Sequence, residues 1–161
     1  MRVTPVSGLV YLVRHAKAGS RSDWDGPDEL RPLSAKGRKQ SIALGRRLAA
    51  GSGPRLISSP YLRCVQTLEP LAAALAQPIE IDERLAEGND FRGTLELLSA
   101  IPDGSVLCSH GDVIPETIAA LERRGCRFVT APDWRKASVW VLSRDAGGEV
   151  TGAAAWPPPE Q

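Results

Sequence analysis

Two strand-sized apolar runs in this chain stop at a histidine, and that pattern narrows the folds open to it. Leu9-Val-Tyr-Leu-Val13 is continuous and rich in β-branched residues, and it runs into Arg14-His15. Ser105-Val-Leu-Cys108 leads in the same way through Ser109 to His110 and Gly111. A strand-length apolar run without polar alternation marks a strand covered on both faces, as in a parallel sheet flanked by helices. The two histidines are the chain's whole supply. A parallel sheet would bring both imidazoles to one rim.

Between and after these runs the chain alternates strand and helix patterns. Ser34 is a helix N-cap, and Ile42, Leu44, Leu48 and Ala49 give the helix behind it an apolar side that ends near Gly51. Arg55–Ser58 reads as a short strand, and Tyr61–Ala76 as a helix that Pro70 should kink or shorten. Ile79–Ile81 reads as a strand, residues 82–92 as a loop and 94–100 as a helix. Strand Ser105–Cys108 is followed by a helix from about Val113 to Arg124. Ser138–Leu142 and Glu149–Ala155 read as two further strands. Residues 19–32, rich in Gly, Ser, Asp and Pro, read as a loop, and 1–8 and 156–161 as irregular or extended ends. The expected architecture is α/β, a three-layer α/β/α sandwich with a mostly parallel central sheet. The length of 161 residues fits a single domain.

In such sheets ligands bind beyond the carboxyl ends of the strands. One histidine at a strand end is most simply a half-buried core residue. Two at equivalent ends, each near an arginine, point to a site instead. Arg14 precedes His15, and Arg63 follows the second strand within the first turn of the next helix. Guanidinium forks match phosphate oxygens, and the helix starts near Tyr61 and Val113 could add backbone donors. The set Arg14, His15, Arg63 and His110 suits a multiply charged oxyanion.

These residues also carry a resemblance. Leu12-Val-Arg-His-Ala-Lys-Ala18, Ser58-Ser-Pro-Tyr-Leu-Arg-Cys-Val-Gln-Thr67 and Ser109-His-Gly111 resemble, in order and spacing, three motifs of the histidine phosphatase (phosphoglycerate mutase-like) superfamily. Arg31–Gly37 and Arg135–Ser138 resemble small SixA-type phosphohistidine phosphatases and the phosphatase half of actinobacterial Nudix-fused proteins, and Ala16 replaces the glycine usual after the nucleophile. The resemblance implies one histidine phosphatase domain over 1–161 and a phosphohistidine intermediate on His15. Arg14, Arg63 and His110 would hold the phosphoryl oxygens. Glu87 stands at the position of the family's general acid, with Glu83 and Asp90 as competitors and a solvated loop carboxylate as the plain alternative. Lys17 would widen the basic rim toward a second charge on the substrate, or simply sit exposed at a strand end.

The implied substrates are a phosphomonoester or a protein phosphohistidine. The alternatives are a nucleotide di- or triphosphate phosphatase and a non-catalytic phosphoryl-binding module. A mutase fits less well, because 161 residues leave little room for insertions that would shield the phosphoenzyme from water. No cofactor and no metal are expected. With 20 Lys and Arg against 19 Asp and Glu, the net charge of +1 gives no electrostatic case for nucleic acid or a membrane surface as partner. Cys64, Cys108 and Cys126 show no CxxC spacing and read as reduced thiols of a cytoplasmic protein, Cys64 and Cys108 as buried small apolar residues; a monomer or weak dimer is expected.

Overall fold

A computed structural model describes residues 8–160. The expected irregular lead-in therefore lies, apart from Gly8, outside the described residues. The strands are β1 (Leu9–Arg14), β2 (Leu56–Ser58), β3 (Ile79–Ile81), β4 (Val106–Ser109), β5 (Arg127–Phe128), β6 (Val139–Arg144) and β7 (Val150–Trp156). The helices are α1 (Ala35–Ala49), α2 (Leu62–Leu75), α3 (Phe91–Ala100) and α4 (Val113–Arg123). One sheet holds all seven strands in the order β3-β2-β4-β1-β6-β7-β5. Pairing is parallel except where β6 meets β1 and β7, so β6 alone runs against the rest. The sheet is mostly parallel, as expected.

The two-residue period of β1 divides the core. Val10 and Leu12 point to the face covered by α3 and α4, where they pack with Ile57, Leu107, Leu98, Ile118 and Trp140. Tyr11 and Val13 point to the face covered by α1 and α2, with Leu56, Cys108, Leu44, Leu48 and Leu68. Both faces of β1 are thus dry, which is why its sequence shows no alternation. This is the three-layer sandwich.

Several local expectations need correction. Ile42 is exposed, not part of the apolar side of α1. It lies two residues, about 200°, from Leu44 on the helical wheel. Pro70 does not shorten α2, which continues to Leu75. There the proline lies against Gly45 of α1, whose missing side chain leaves room: a Cβ would sit 3.3 Å from the Pro70 ring carbon. Helix α3 starts at Phe91 rather than 94, because the Asp90 carboxylate accepts from the Arg92 amide and caps it. Short 3-10 turns at Asp28–Leu30 and Glu83–Leu85 interrupt the two segments read as loops. Residues 157–160 form no regular element, and Arg47 holds their start: it stacks over the Trp156 ring and donates to the Pro157 carbonyl at 3.0 Å. Among the described residues, no helix is long and apolar enough to cross a membrane.

Candidate active site

Strands β2, β4 and β1 are neighbours and run the same way, so their carboxyl ends form one edge. Arg14 stands opposite Ser109 in the register, and Ser58 opposite Cys108. The ladder continues one residue further, where the His15 amide donates to the Ser109 carbonyl and the Ser59 amide to the Cys108 carbonyl. His15 and His110 thereby meet edge to face, with ring centroids 5.4 Å apart.

The two imidazoles are held by opposite nitrogens. His15 Nδ1 lies 2.7 Å from the Ala16 carbonyl oxygen. A carbonyl can only accept, so Nδ1 carries the proton and Nε2 keeps its lone pair. Burial is the largest influence on this ring. The Ala16 carbonyl opposes it by favouring the charged form, while His110, Arg63 and Arg14 reinforce it, and the pKa falls from 6.5 to about 3. His110 is tied by Nε2, which lies 2.9 Å from the Ser59 hydroxyl. The Tyr61 amide also donates to that hydroxyl at 3.2 Å. His110 Nδ1 is buried and makes no hydrogen bond among the described residues.

The loop after β1 is clamped on all sides. The Ala16 amide donates to Thr67 Oγ1 at 2.9 Å, and Thr67 in turn donates to the Arg63 carbonyl at 2.7 Å. The Lys17 amide donates to the Gln40 side chain. Ser34 caps α1 by accepting from the Gly37 amide, and its hydroxyl donates to the Lys17 carbonyl at 3.1 Å. Gly37 permits this contact, because a Cβ there would fall 1.9 Å from that carbonyl oxygen. One sequence signal, the N-cap serine, thus fixes both a helix start and the backbone that carries the nucleophile candidate.

A pocket of about 580 Å³ opens at this edge, and Arg14, His15, Lys17, Arg63 and Glu87 all line it. Five of the six residues expected at the site share its wall, and His110 stands behind His15. Arg63 is fully buried, which no isolated guanidinium tolerates. Its Nη1 donates to the Asp28 carbonyl at 3.0 Å, and its Nη2 lies 3.1 Å from the Asp28 carboxylate and 3.5 Å from Glu87. Its Nε, like that of Arg14, is buried and has no partner among the described residues. Arg14 donates through Nη1 to the Trp134 carbonyl, and its guanidinium lies across Gly111, where a Cβ would come within 2.6 Å of Nη2.

Glu87 is the member of the acidic trio that reaches the pocket. It is half-exposed and pairs with Arg21 at 3.1 Å as well as with Arg63. Glu83 and Asp90 line a different hollow with Arg84 and Asn89. Sequence reasoning missed Arg21, Arg31, Asp112 and Lys136 in the wall and Asp28 behind it. Arg21, Asp28 and Arg31 belong to the segment read only as a loop. Burial raises the Asp28 pKa, but hydrogen bonds from Arg31 and Arg63 and their charges outweigh it and hold the carboxyl low. The hidden signal was Arg31, an arginine just before Pro32-Leu33-Ser34 that turns inward on Asp28 at 2.9 Å. Cys64 and Cys108 are fully buried free thiols, but Cys64 is more than an apolar packing residue: its sulfur lies 3.5 Å from His110 Nε2 and 3.7 Å from the Ser109 carbonyl.

Residues 10–98 match the model of the histidine phosphatase superfamily (branch 1). The 8-oxo-(d)GTP phosphatase of Mycolicibacterium smegmatis is 39% identical over 94% of this chain, which spans only 49% of that protein's length. The protein histidine phosphatase SixA complexed with tungstate superposes with a TM-score of 0.69 at 23% identity, covering 92% of this chain and 94% of its own. A SixA from Nakamurella multipartitia gives 0.71 at 22% identity, covering 96% and 99%. These two likenesses speak to the fold. The chain belongs to the histidine phosphatase superfamily.

Proposed function

We propose that this chain, acting as one domain, is a phosphatase that passes a phosphoryl group through His15. The observation that carries the reading is the His15 Nδ1–Ala16 carbonyl hydrogen bond, which leaves a neutral Nε2 lone pair in an arginine-lined pocket. A neutral imidazole is a competent nucleophile. Nε2 attacks phosphorus and a P–N bond forms, while the bond to the leaving group, P–O in a phosphomonoester and P–N in a phosphohistidine, breaks in line. The free Nε groups of Arg14 and Arg63 and, in this reading, a protonated Nδ1 of His110 are buried donors suited to the charge that builds on the phosphoryl oxygens. Water then attacks the phosphohistidine, releasing phosphate and restoring the neutral ring.

An ester leaving group needs a proton. Glu87 lies in the pocket wall, ion-paired with Arg21 and Arg63. In this reading Glu87 donates to the leaving oxygen and later takes a proton from the attacking water. Substrates are phosphomonoesters or protein phosphohistidines. The second reading, a nucleotide phosphatase, is favoured by the identity of 39% to an 8-oxo-(d)GTP phosphatase.

The test is hydrolysis of an activated aryl phosphate, without and with added divalent metal, followed by rapid quench at high pH and mass spectrometry. Turnover without added metal, with an acid-labile, alkali-stable phosphate on His15, is the expected result. Phosphate on Ser109 or Cys64 overturns the mechanism. Tight phosphate binding without turnover makes the chain a phosphoryl-binding module.

A further inference from the structure

The two buried arginines of the pocket wall answer to one carboxylate. Arg31 and Arg63 both line the pocket, and both are buried. Arg31 Nε donates to Asp28 Oδ1 at 2.9 Å, and Arg63 Nη2 donates to Asp28 Oδ2 at 3.1 Å. The Asp28 carbonyl accepts from Nη1 of Arg63 as well, at 3.0 Å. Asp28 itself stands behind the wall and does not line the pocket.

The backbone of its own loop makes no use of this carboxylate. The carboxylates of Asp82, Asp90, Asp112, Asp133 and Asp145 each accept from a backbone amide and so serve a local turn or helix start. The 3-10 turn Asp28–Leu30 has no side-chain cap, and among the described residues both Asp28 oxygens bond only to guanidinium nitrogens. What the carboxylate does fix is Arg63. A guanidinium is planar, so contacts from one residue on both terminal nitrogens set its plane and decide which edge is left over. That edge is Nε, buried and without a partner among the described residues. Glu87 holds Arg63 more loosely, at 3.5 Å from the same Nη2. Arg31 completes the relay. Its Nη1 donates to the Gly19 carbonyl, so the loop anchors Arg31, Arg31 anchors Asp28 and Asp28 anchors Arg63.

We propose that Asp28 is a positioning residue for phosphoryl transfer: held by Arg31, it fixes the Arg63 guanidinium so that Nε faces the transferred phosphate. The proposal rests on the reading of the pocket as the place of phosphoryl transfer. It adds the residue through which the loop 19–32 governs anion recognition. A carboxylate suits the task because it has lone pairs for two donors and no hydrogen to oppose either. Asparagine offers one oxygen, and its amide nitrogen would meet the other guanidinium donor to donor. Asp28→Asn therefore keeps the Arg63 charge in the wall but frees its plane to turn.

A double-mutant cycle tests whether Asp28 acts through Arg63. On p-nitrophenyl phosphate, Asp28→Asn should lower kcat/KM about tenfold, the scale of one charged hydrogen bond. In the Arg63→Ala background the same change should cost nothing or raise the rate slightly, since the carboxylate then only repels the phosphate. An equal loss in both backgrounds, or no loss in wild type, overturns the proposal. If circular dichroism shows that Asp28→Asn does not fold, the cycle is run with Asp28→Glu, which keeps both lone pairs but sets them one methylene farther out, and the same outcomes decide. Nitrogen-15 NMR adds a readout that simple destabilisation would not move. On addition of inorganic phosphate, the Arg63 Nε–Hε resonance, identified by its absence from Arg63→Ala, should shift in wild type and move little in Asp28→Asn. The same shift in both proteins, or none in wild type, overturns the proposal. This readout needs no turnover. If wild type leaves p-nitrophenyl phosphate intact, the phosphatase reading fails, and the spectra alone judge the hold of Asp28 on Arg63.

Discussion

The carboxyl ends of β1 and β4 make an instructive pair. Each presents a histidine just past a buried strand, and the strands are register neighbours. At the end of β1 the ring gives its Nδ1 proton to a backbone carbonyl and keeps a bare Nε2. At the end of β4 the ring is held by Nε2 against a serine hydroxyl, and Nδ1 is the nitrogen left over. One end therefore offers a lone pair, the other a buried nitrogen without a partner among the described residues. The residue type and its place in the topology are the same, and the division of labour comes from which nitrogen the neighbours occupy.

The sharpest way to break that comparison is to remove each ring in turn. His15→Ala should lower kcat on an aryl phosphate by about 10⁴-fold or more, as loss of a nucleophile does. His110→Ala should cost about 10²–10³-fold, the range for one lost oxyanion donor. Equal losses would mean that the two ends share one role.

Next in size is a test of who supplies the proton that neither histidine is placed to give. Glu87→Gln should slow hydrolysis of an alkyl phosphate by about 10²–10⁴-fold and hardly touch an aryl phosphate with an acidic phenol. Losses of the same size on both substrates would make Glu87 a binding or structural group held by Arg21 and Arg63.

Arg63 sharpens the comparison from the side of the cations. Arg63→Ala should cost about 3 kcal/mol in kcat/KM, near 10²-fold, and Arg63→Lys should recover little of it, because an ammonium cannot reproduce the fork. Full rescue by lysine would show that charge alone matters at that position.

The smallest effect is one of stability. The His15 pKa is near 6.5 in the unfolded chain and about 3 in the folded one. Between those values the unfolded state binds the extra proton, so stability falls as pH drops through this window and is unaffected above it. Denaturation midpoints from pH 7 to pH 4 should show a shallower decline for His15→Asn than for wild type, by at most about 1.4 kcal/mol per pH unit. An unchanged slope would mean that the ring is not held neutral by its surroundings.

The sheet and the residues at its edge were readable because they obey periodic rules. Dry faces on both sides of β1 write an unbroken apolar run, and parallel neighbours place His15, His110 and Arg63 together without any knowledge of distance. What could not be read was whatever depends on a loop's path. Arg21, Asp28 and Arg31 come to the pocket because residues 19–32 double back, with the Gly19 amide bonded to the Pro32 carbonyl and the Ala18 backbone paired with Leu33. No period encodes such a return. Strand β5 escaped for another reason: two residues, Arg127 and Phe128, are too few to show an alternation. Ile42 shows the opposite error, an apolar residue that hydrophobicity alone assigned inward although its angle on α1 faces water.

Gly111 and Gly37 bear on how this protein can vary. Neither has a positive φ, so rules based on backbone angle would class both positions as open to any residue. Yet a single methyl group at Gly111 would meet the Arg14 guanidinium, and one at Gly37 would meet the Lys17 backbone. The two differ in what can yield. A guanidinium can be nudged while a clamped carbonyl cannot, so Gly37 is closed to substitution and Gly111 is a dial. Alanine there would displace Arg14 without deleting its charge, giving a graded way to detune the pocket and a route by which related sequences could drift in substrate preference while every charged residue of the site stays in place.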